Sequence, residues 1–402
     1  MSRKLKVAVG MSGGVDSGVS AKLLVDAGYD VAGVHLHFWA ESVKGESRQN
    51  KCCSTESLMA ARRTCDMLGI PFYTFNFEDI FKQTVVEYFL EEFKRNRTPN
   101  PCVVCNRKIK TGRLVKYVQG LGFDLLATGH YIRLVQEERC QNEKNADGSK
   151  IDSRQLKTYK DIPYTDMETR ARILGEYPYN APLFLRMGED RKKDQSYFLY
   201  TMKQEDLVRL VFPLADMVKD QTRQLAKDWN LPVASSKESF EICFIPTDDH
   251  TEFLSRHIDS RLIQPGEVVT NEGELVGTHR GLPFYSMGQR RGFVSRKPVP
   301  YYVVGKNIER NQLVVANVVN STRFMFSLEK VTWADEGIEL PMRVKVRMRN
   351  MGSFDEASVY MNEAGEVEVC LESGQRGISP GQSAVFYDGD VILGGGVINE
   401  VF

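Results

Sequence analysis

Short segments of this chain carry residue types that could do chemistry. The first is Ser12-Gly13-Gly14-Val15-Asp16-Ser17, which follows an apolar run over 5–9 and opens a helix-like stretch. Adjacent glycines let backbone amides turn inward as an anion nest, serine hydroxyls donate to phosphate oxygens, and a helix N-terminus adds positive potential. Asp16 is spaced to hold Mg2+ on bound phosphates. The Lys-Ser/Thr pair of a Walker A loop is missing after the second glycine, so this is a phosphate loop of another kind.

The second segment is Thr98-Pro99-Asn100-Pro101-Cys102-Val103-Val104-Cys105-Asn106, followed by Arg107, Lys108, Lys110 and Arg113. Its prolines stiffen the loop, and cationic neighbours at a helix start favour thiolate over thiol. A Cys-x-x-Cys pair in this setting reads as metal-binding or redox-active. The third segment, Ser239-Phe240-Glu241-Ile242-Cys243-Phe244-Ile245-Pro246, sets a cysteine among apolar residues. Taken alone, Cys243 reads as a buried, inert thiol. Cys52-Cys53 with His35 and His37 could be grouped as a metal site. Adjacent cysteines coordinate one ion poorly, however, and the histidines lie on a strand that reads as buried.

The elements that must position these segments follow from periodicity. Apolar strands are expected over 5–9, 31–38, 72–77 and 125–131, with helices over 18–27, 54–68 and 81–93 between them. That alternation predicts an α/β, Rossmann-like domain with a parallel sheet. Residues 136–183 are polar, contain Cys140, and are expected to be an inserted excursion, partly ordered at best. A helix is expected near 222–229. Short β segments over 301–304, 312–319, 342–348, 356–360, 367–371 and 384–387 predict a small C-terminal β-barrel. The expected division is a catalytic domain over 1–205, a central domain over 206–280 and the barrel over 281–402.

Composition bounds the function. Of 402 residues, 42% are hydrophobic and 26% charged, which fits a folded globular chain and excludes wholesale disorder. Lys+Arg and Asp+Glu both number 53, so any nucleic-acid site must be a local patch. Eight cysteines in a chain of this length are no disulfide scaffold. With no targeting segment or long apolar run read in the sequence, the expectation is a cytoplasmic protein without membrane partners.

The Ser12–Ser17 hexapeptide resembles the PP-loop of ATP pyrophosphatases, which release pyrophosphate while adenylating a substrate oxygen. With the blocks Ala127-Thr128-Gly129-His130-Tyr131, Lys193-Asp194-Gln195-Ser196-Tyr197-Phe198-Leu199, Gly288-Gln289-Arg290-Arg291-Gly292 and Ser379-Pro380-Gly381-Gln382, nearly the whole chain resembles the bacterial tRNA-specific 2-thiouridylases of MnmA type. The resemblance implies 2-thiolation of the tRNA wobble uridine, with ATP, Mg2+ and a persulfide-donating protein. It implies that Gly10, Met11, Ser12, Gly13, Gly14, Val15, Asp16, Ser17, Leu36 and Gly129 bind ATP. It puts Asn100, Pro101 and Cys102 at the target base, and His130, Lys193, Asp194, Gln195 and Gln382 on the tRNA. Cys243 would carry the persulfide and Cys105 would be its partner nucleophile.

At Cys102 the family pattern usually has aspartate. The substitution leaves two routes open: the persulfide route, or a [4Fe–4S] cluster on Cys102, Cys105 and Cys243 with one iron free for sulfide. A Cys102–Cys105 disulfide and a zinc site are further options. Arg343, Lys345, Arg347 and Arg349 alternate with apolar residues, which on a strand puts four cations on one face. Arg347 and Arg349 are therefore expected to touch tRNA phosphates, with Lys94, Arg95 and Arg97 a second patch beside the cysteine loop.

Overall fold

The computed structural model describes residues 4–43, 46–47, 54–139, 157–176, 181–236, 242–245, 250–295 and 299–402. Cys52, Cys53 and Cys140 lie outside them. Five parallel strands form the first sheet, in the order Leu210–Val211, Leu125–Ala127, Lys6–Gly10, Asp30–His37, Phe72–Asn76. Val7, Ala8 and Val9 are fully buried, as a central parallel strand covered on both faces requires. From Lys6–Gly10 the chain pairs with Asp30–His37 on one side and Leu125–Ala127 on the other. Strand order reverses there, and a crevice opens beyond the carboxyl ends of those strands. The loop from Gly10 to Ser17 and the turn at Gly129 both sit at that edge.

Two helical rods flank the sheet. Glu78–Phe81 continues through a π-turn at Lys82–Val86 into Glu87–Lys94. Pro101–Cys105 runs through a wide π-segment at Asn106–Arg113 into Leu114–Gly120. Thr111 Oγ1 donates to the Asn106 carbonyl at 2.8 Å inside that segment. Wide turns of this kind recur next to functional residues, and here one begins directly after Cys105.

Two β bodies complete the chain. A five-stranded sheet orders Val294–Ser295, Leu275–His279, Gly266–Thr270, Gln312–Ala316 and Tyr302–Asn307. Thr322–Trp333, Val367–Arg376, Asp355–Met361, Met342–Arg347, Ser383–Asp388 and Val391–Val401 follow one another around a barrel, closed where the last strand pairs with the first. Three boundaries therefore differ from expectation. The 280/281 division cuts the middle sheet, because Gly266–Thr270 pairs directly with Gln312–Ala316. The 205/206 division cuts off Leu210–Val211, which completes the parallel sheet. The strand expected over 125–131 ends at Ala127.

The 136–183 segment also departs from a loose excursion where it is described. Ile132–Arg139 pairs antiparallel with Lys157–Asp161 and with Leu183–Met187. The helix Met167–Glu176 buries Ile173 and Arg170, whose guanidinium donates to the Leu210 and Ile162 carbonyls. Polar composition misled here because one buried arginine satisfies two backbone carbonyls and so allows the helix to dock.

The barrel is pinned to the catalytic domain by a buried ion pair. Arg347 Nη1 donates to Asp194 Oδ2 at 2.9 Å, and both side chains are buried. Ser196 Oγ donates to the same carboxylate at 2.7 Å, and the guanidinium lies over Phe354 at 4.1 Å. This corrects the reading of Arg347 and Asp194 as tRNA contacts: they face each other across the domain seam. Only Arg343, Lys345 and Arg349 of the alternating run remain exposed. Arg347→Met strands a buried carboxylate and is expected to cost about 3–5 kcal/mol of stability, read from a urea titration. A wild-type midpoint with weakened tRNA binding would restore the phosphate-contact reading.

Candidate active site

The phosphate loop is built by local constraint. Met11 N donates to the Val34 carbonyl at 2.7 Å, and buried His35 meets the Met11 carbonyl through Nδ1 at 2.8 Å. His35 Nδ1 must carry the proton to make that bond, and burial lowers the imidazole pKa. His35 is thus a strut of the loop, while His37 Nδ1 faces Glu78 at 3.0 Å. The metal grouping drawn from these histidines also needs Cys52 and Cys53, which lie outside the described residues.

Gly13 has φ +76°, and a Cβ there would overlap the Ser57 carbonyl. Ser17 Oγ donates to the Gly14 carbonyl at 3.0 Å. Gly14, the N-cap of helix Val15–Asp26, supplies no side-chain cap, so that helix end offers its amides to an anion. Gly129 closes the other side: a Cβ there would come 2.9 Å from Asp16 Cβ and 3.1 Å from Ser17 N. Its role is close approach of two backbones. Leu36, half-buried on the neighbouring strand, packs under the same edge.

Two side chains hold Asp16. Lys219 Nζ donates to both carboxylate oxygens, at 2.6 and 2.8 Å, and Tyr131 OH donates to Oδ1 at 2.7 Å. Burial, then the Asp16 charge, raises the Tyr131 pKa and keeps the phenol protonated as donor. In this arrangement the carboxylate is a salt-bridge acceptor. Neither Tyr131 nor Lys219 was singled out from the sequence. Lys219 is a single lysine far along the chain, and nothing in its local pattern points back to residue 16.

The cysteine helix is equally determined. Asn100 caps it, with Val103 N donating to Oδ1 at 3.4 Å, and Pro101 occupies the first turn, where no amide donor is needed. Asn100 is buried at that cap. Cys102 is exposed; Cys105, one turn on, is buried. Cys105 belongs to an apolar cluster with Phe81, Phe89, Phe244 and Phe253, against which Cys243 also packs. The fold therefore brings the Cys105 and Cys243 segments to one dry core. Cys102 lies on the exposed face of the same short helix.

The other residues expected at the tRNA make contacts within the chain. Gln195 Oε1 accepts from Tyr131 N at 3.3 Å. Gln382 Nε2 donates to the Thr98 and Pro99 carbonyls at 3.2 and 3.0 Å. His130 Nδ1 lies 2.8 Å from Thr128 Oγ1, and burial, reinforced by Lys110, pulls its pKa down to about 3, so it stays neutral at physiological pH. Lys193 N donates to the Asp190 carbonyl at 3.0 Å. Arg349 Nη2 donates to the Gly377 carbonyl at 2.6 Å while staying exposed. Arg290 and Arg291 are exposed too, on a loop where Gly288 abuts Gly377.

Gly13→Ala combines a left-handed φ with a backbone clash. It is expected to weaken ATP binding roughly tenfold or more in a filter or calorimetric assay while leaving the chain folded. Wild-type affinity would mean that the loop does not hold the phosphates.

Comparison with known proteins agrees with this architecture. Residues 5–177 and 171–247 match the family description "tRNA methyl transferase HUP domain". Residues 251–317 match a "tRNA methyl transferase PRC-barrel domain", and 323–398 an "Aminomethyltransferase beta-barrel domain". The chain is 40% identical over 395 residues to the tRNA-specific 2-thiouridylase MnmA of Roseiflexus sp., covering 98% of this chain and 99% of the relative. It is 39% identical to the protein of that name from Carboxydothermus hydrogenoformans, with 98% of each chain covered. The Clostridium acetobutylicum protein is 35% identical over 98% of this chain and 99% of its own. Full-length similarity at this level, over the same three-part fold, means that the chain belongs to the tRNA-specific 2-thiouridylase family.

Proposed function

We propose that this protein thiolates C2 of the tRNA wobble uridine, using ATP to activate O2 and a persulfide on Cys243 as the sulfur source. The observation that supports this reading is that Cys105 and Cys243 join one apolar cluster, on a fold whose phosphate loop follows the central strand of the parallel sheet. A carbonyl oxygen is a poor leaving group, so the uridine must first be adenylated: O2 attacks the α-phosphate of ATP and pyrophosphate leaves. Amides and hydroxyls of residues 10–17 stabilise the charge that develops on the phosphates. Mg2+ would travel with ATP as its counter-ion.

The terminal sulfur of the Cys243 persulfide then attacks C2, and AMP departs with the former O2. The nucleoside is now joined to Cys243 through an S–S bond. The Cys105 thiolate attacks the Cys243 sulfur and releases 2-thiouridine, leaving a Cys105–Cys243 disulfide. A cellular thiol reductant restores both thiols, and a persulfide-bearing donor protein reloads Cys243. Cys105 is buried and Cys243 half-buried, which leaves the sulfur carrier the more accessible of the two. Both the reductant and the tRNA substrate favour a cytoplasmic location. Among the described residues no helix is long and apolar enough to cross a membrane.

The test is a thiolation assay with unmodified tRNA, ATP and a persulfide donor. Cys243→Ser and Cys105→Ser are each expected to abolish 2-thiouridine while retaining tRNA-dependent pyrophosphate release. Thiolation that survives Cys243→Ser, or iron bound to Cys102 and required for turnover, would overturn this route.

A further inference from the structure

Arg97 stands at the entrance to the cysteine loop, where the basic patch with Lys94 and Arg95 suggested a phosphate contact. The structure turns its guanidinium inward instead. Nε pairs with Glu92 Oε2 at 2.9 Å, Nη2 with Glu329 Oε1, and Nη1 donates to Asn399 Oδ1 at 3.2 Å. Its side chain is only 16% exposed, and that of Glu92 6%. Glu92 belongs to the helix leading into the loop, whereas Glu329 and Asn399 belong to two barrel strands. One planar fork thus joins the catalytic domain to the barrel.

The neighbouring backbone is held by the same partners. Thr98 N donates to the Pro380 carbonyl at 2.8 Å, and Gly381 approaches so closely that a Cβ would stand 2.8 Å from the Thr98 carbonyl. From the middle sheet, Lys306 Nζ donates to the Asn96 carbonyl at 3.1 Å, and Thr98 Oγ1 donates to Ser286 Oγ at 3.0 Å. Asn96 itself holds a left-handed φ of 59°. Between this clamp and Cys102 lie Pro99 and Pro101, which fix φ and leave little slack. A displacement at residue 97 therefore passes to the cysteine helix as a rigid shift.

We propose that Arg97 is a positioning residue: through Glu92, Glu329 and Asn399 it makes the placement of Cys105 depend on the docked barrel. The barrel is then part of the catalytic geometry and not solely a surface for tRNA. The kinetic form of this proposal rests on the thiolation reading above; its structural form does not.

The experiment compares wild type with Arg97→Met, Arg97→Lys and Glu329→Gln in the full-length protein. One readout is steady-state thiolation, and the other is the rate at which iodoacetamide labels Cys105, followed by peptide mapping. For Arg97→Met the expected result is a fall in kcat of about tenfold to a hundredfold, with KM for tRNA and its salt dependence within about twofold of wild type. Cys105 labelling should rise several-fold. Arg97→Lys, which can reach one carboxylate but not fork across both, should recover part of each effect, and Glu329→Gln should reproduce them in milder form if Arg97→Met does not fold. Unchanged kcat and labelling would overturn the proposal. So would a raised KM with a flattened salt slope at constant kcat, the signature of a phosphate contact. Wild-type protein that makes no 2-thiouridine would remove the proposed function, while the labelling result would still decide the role of Arg97.

Discussion

Sulfur transfer between two thiols requires that segments far apart in the chain meet where water does not compete. In this protein the aromatic cluster of Phe81, Phe89, Phe244 and Phe253 meets that requirement. Cys105 arrives on a proline-started helix and Cys243 on a short apolar segment, and both join the same apolar cluster. Middle-sheet residues such as Val268, Val276 and Leu313 belong to that cluster too. The dry core is therefore a property of two domains packed together. Burial on this scale, at about 25 cal/mol per Å2 of apolar surface, makes the seam a source of stability as well as of chemistry.

Around this core, polar groups are spent on placement. Gln382 holds the Thr98 and Pro99 carbonyls, Asn100 caps the cysteine helix, and Asp194 and Arg347 neutralise each other at the barrel seam. At the phosphate loop, Asp16 is held by Lys219 and Tyr131, which links the loop to the helix Lys219–Asp228. Exposed cations are left at Arg343, Lys345, Arg349, Arg290 and Arg291, spread over the barrel and the middle sheet. A neutral chain can thus still present a local basic surface to a polyanion.

The parts legible in the sequence are those governed by local rules. Alternating apolar strands and amphipathic helices announced the parallel sheet, and Ser12–Ser17 announced an anion site because its glycines and hydroxyls act within six residues. Short β segments announced the barrel. What stayed hidden depends on distance. Alternation put Arg347 on a polar face, but barrel rings of Phe354 and Tyr387 and the docked Asp194 bury it. The partners of Asp16, Lys219 and Tyr131, lie too far along the chain to be read from its own segment. Polar composition between 136 and 183 hid a docked helix, because the buried charge of Arg170 finds backbone partners that no local pattern reveals. Domain limits slipped for a related reason: the middle sheet pairs strands from both sides of residue 281.

The central claim is that Cys105 and Cys243 work as a pair. It is tested most directly by one turnover without reductant: persulfide-loaded protein, ATP and unmodified tRNA, then proteolysis and mass spectrometry under non-reducing conditions. One Cys105–Cys243 disulfide per 2-thiouridine formed is the predicted result. Product without that disulfide, or with a Cys102–Cys105 disulfide in its place, would contradict the account.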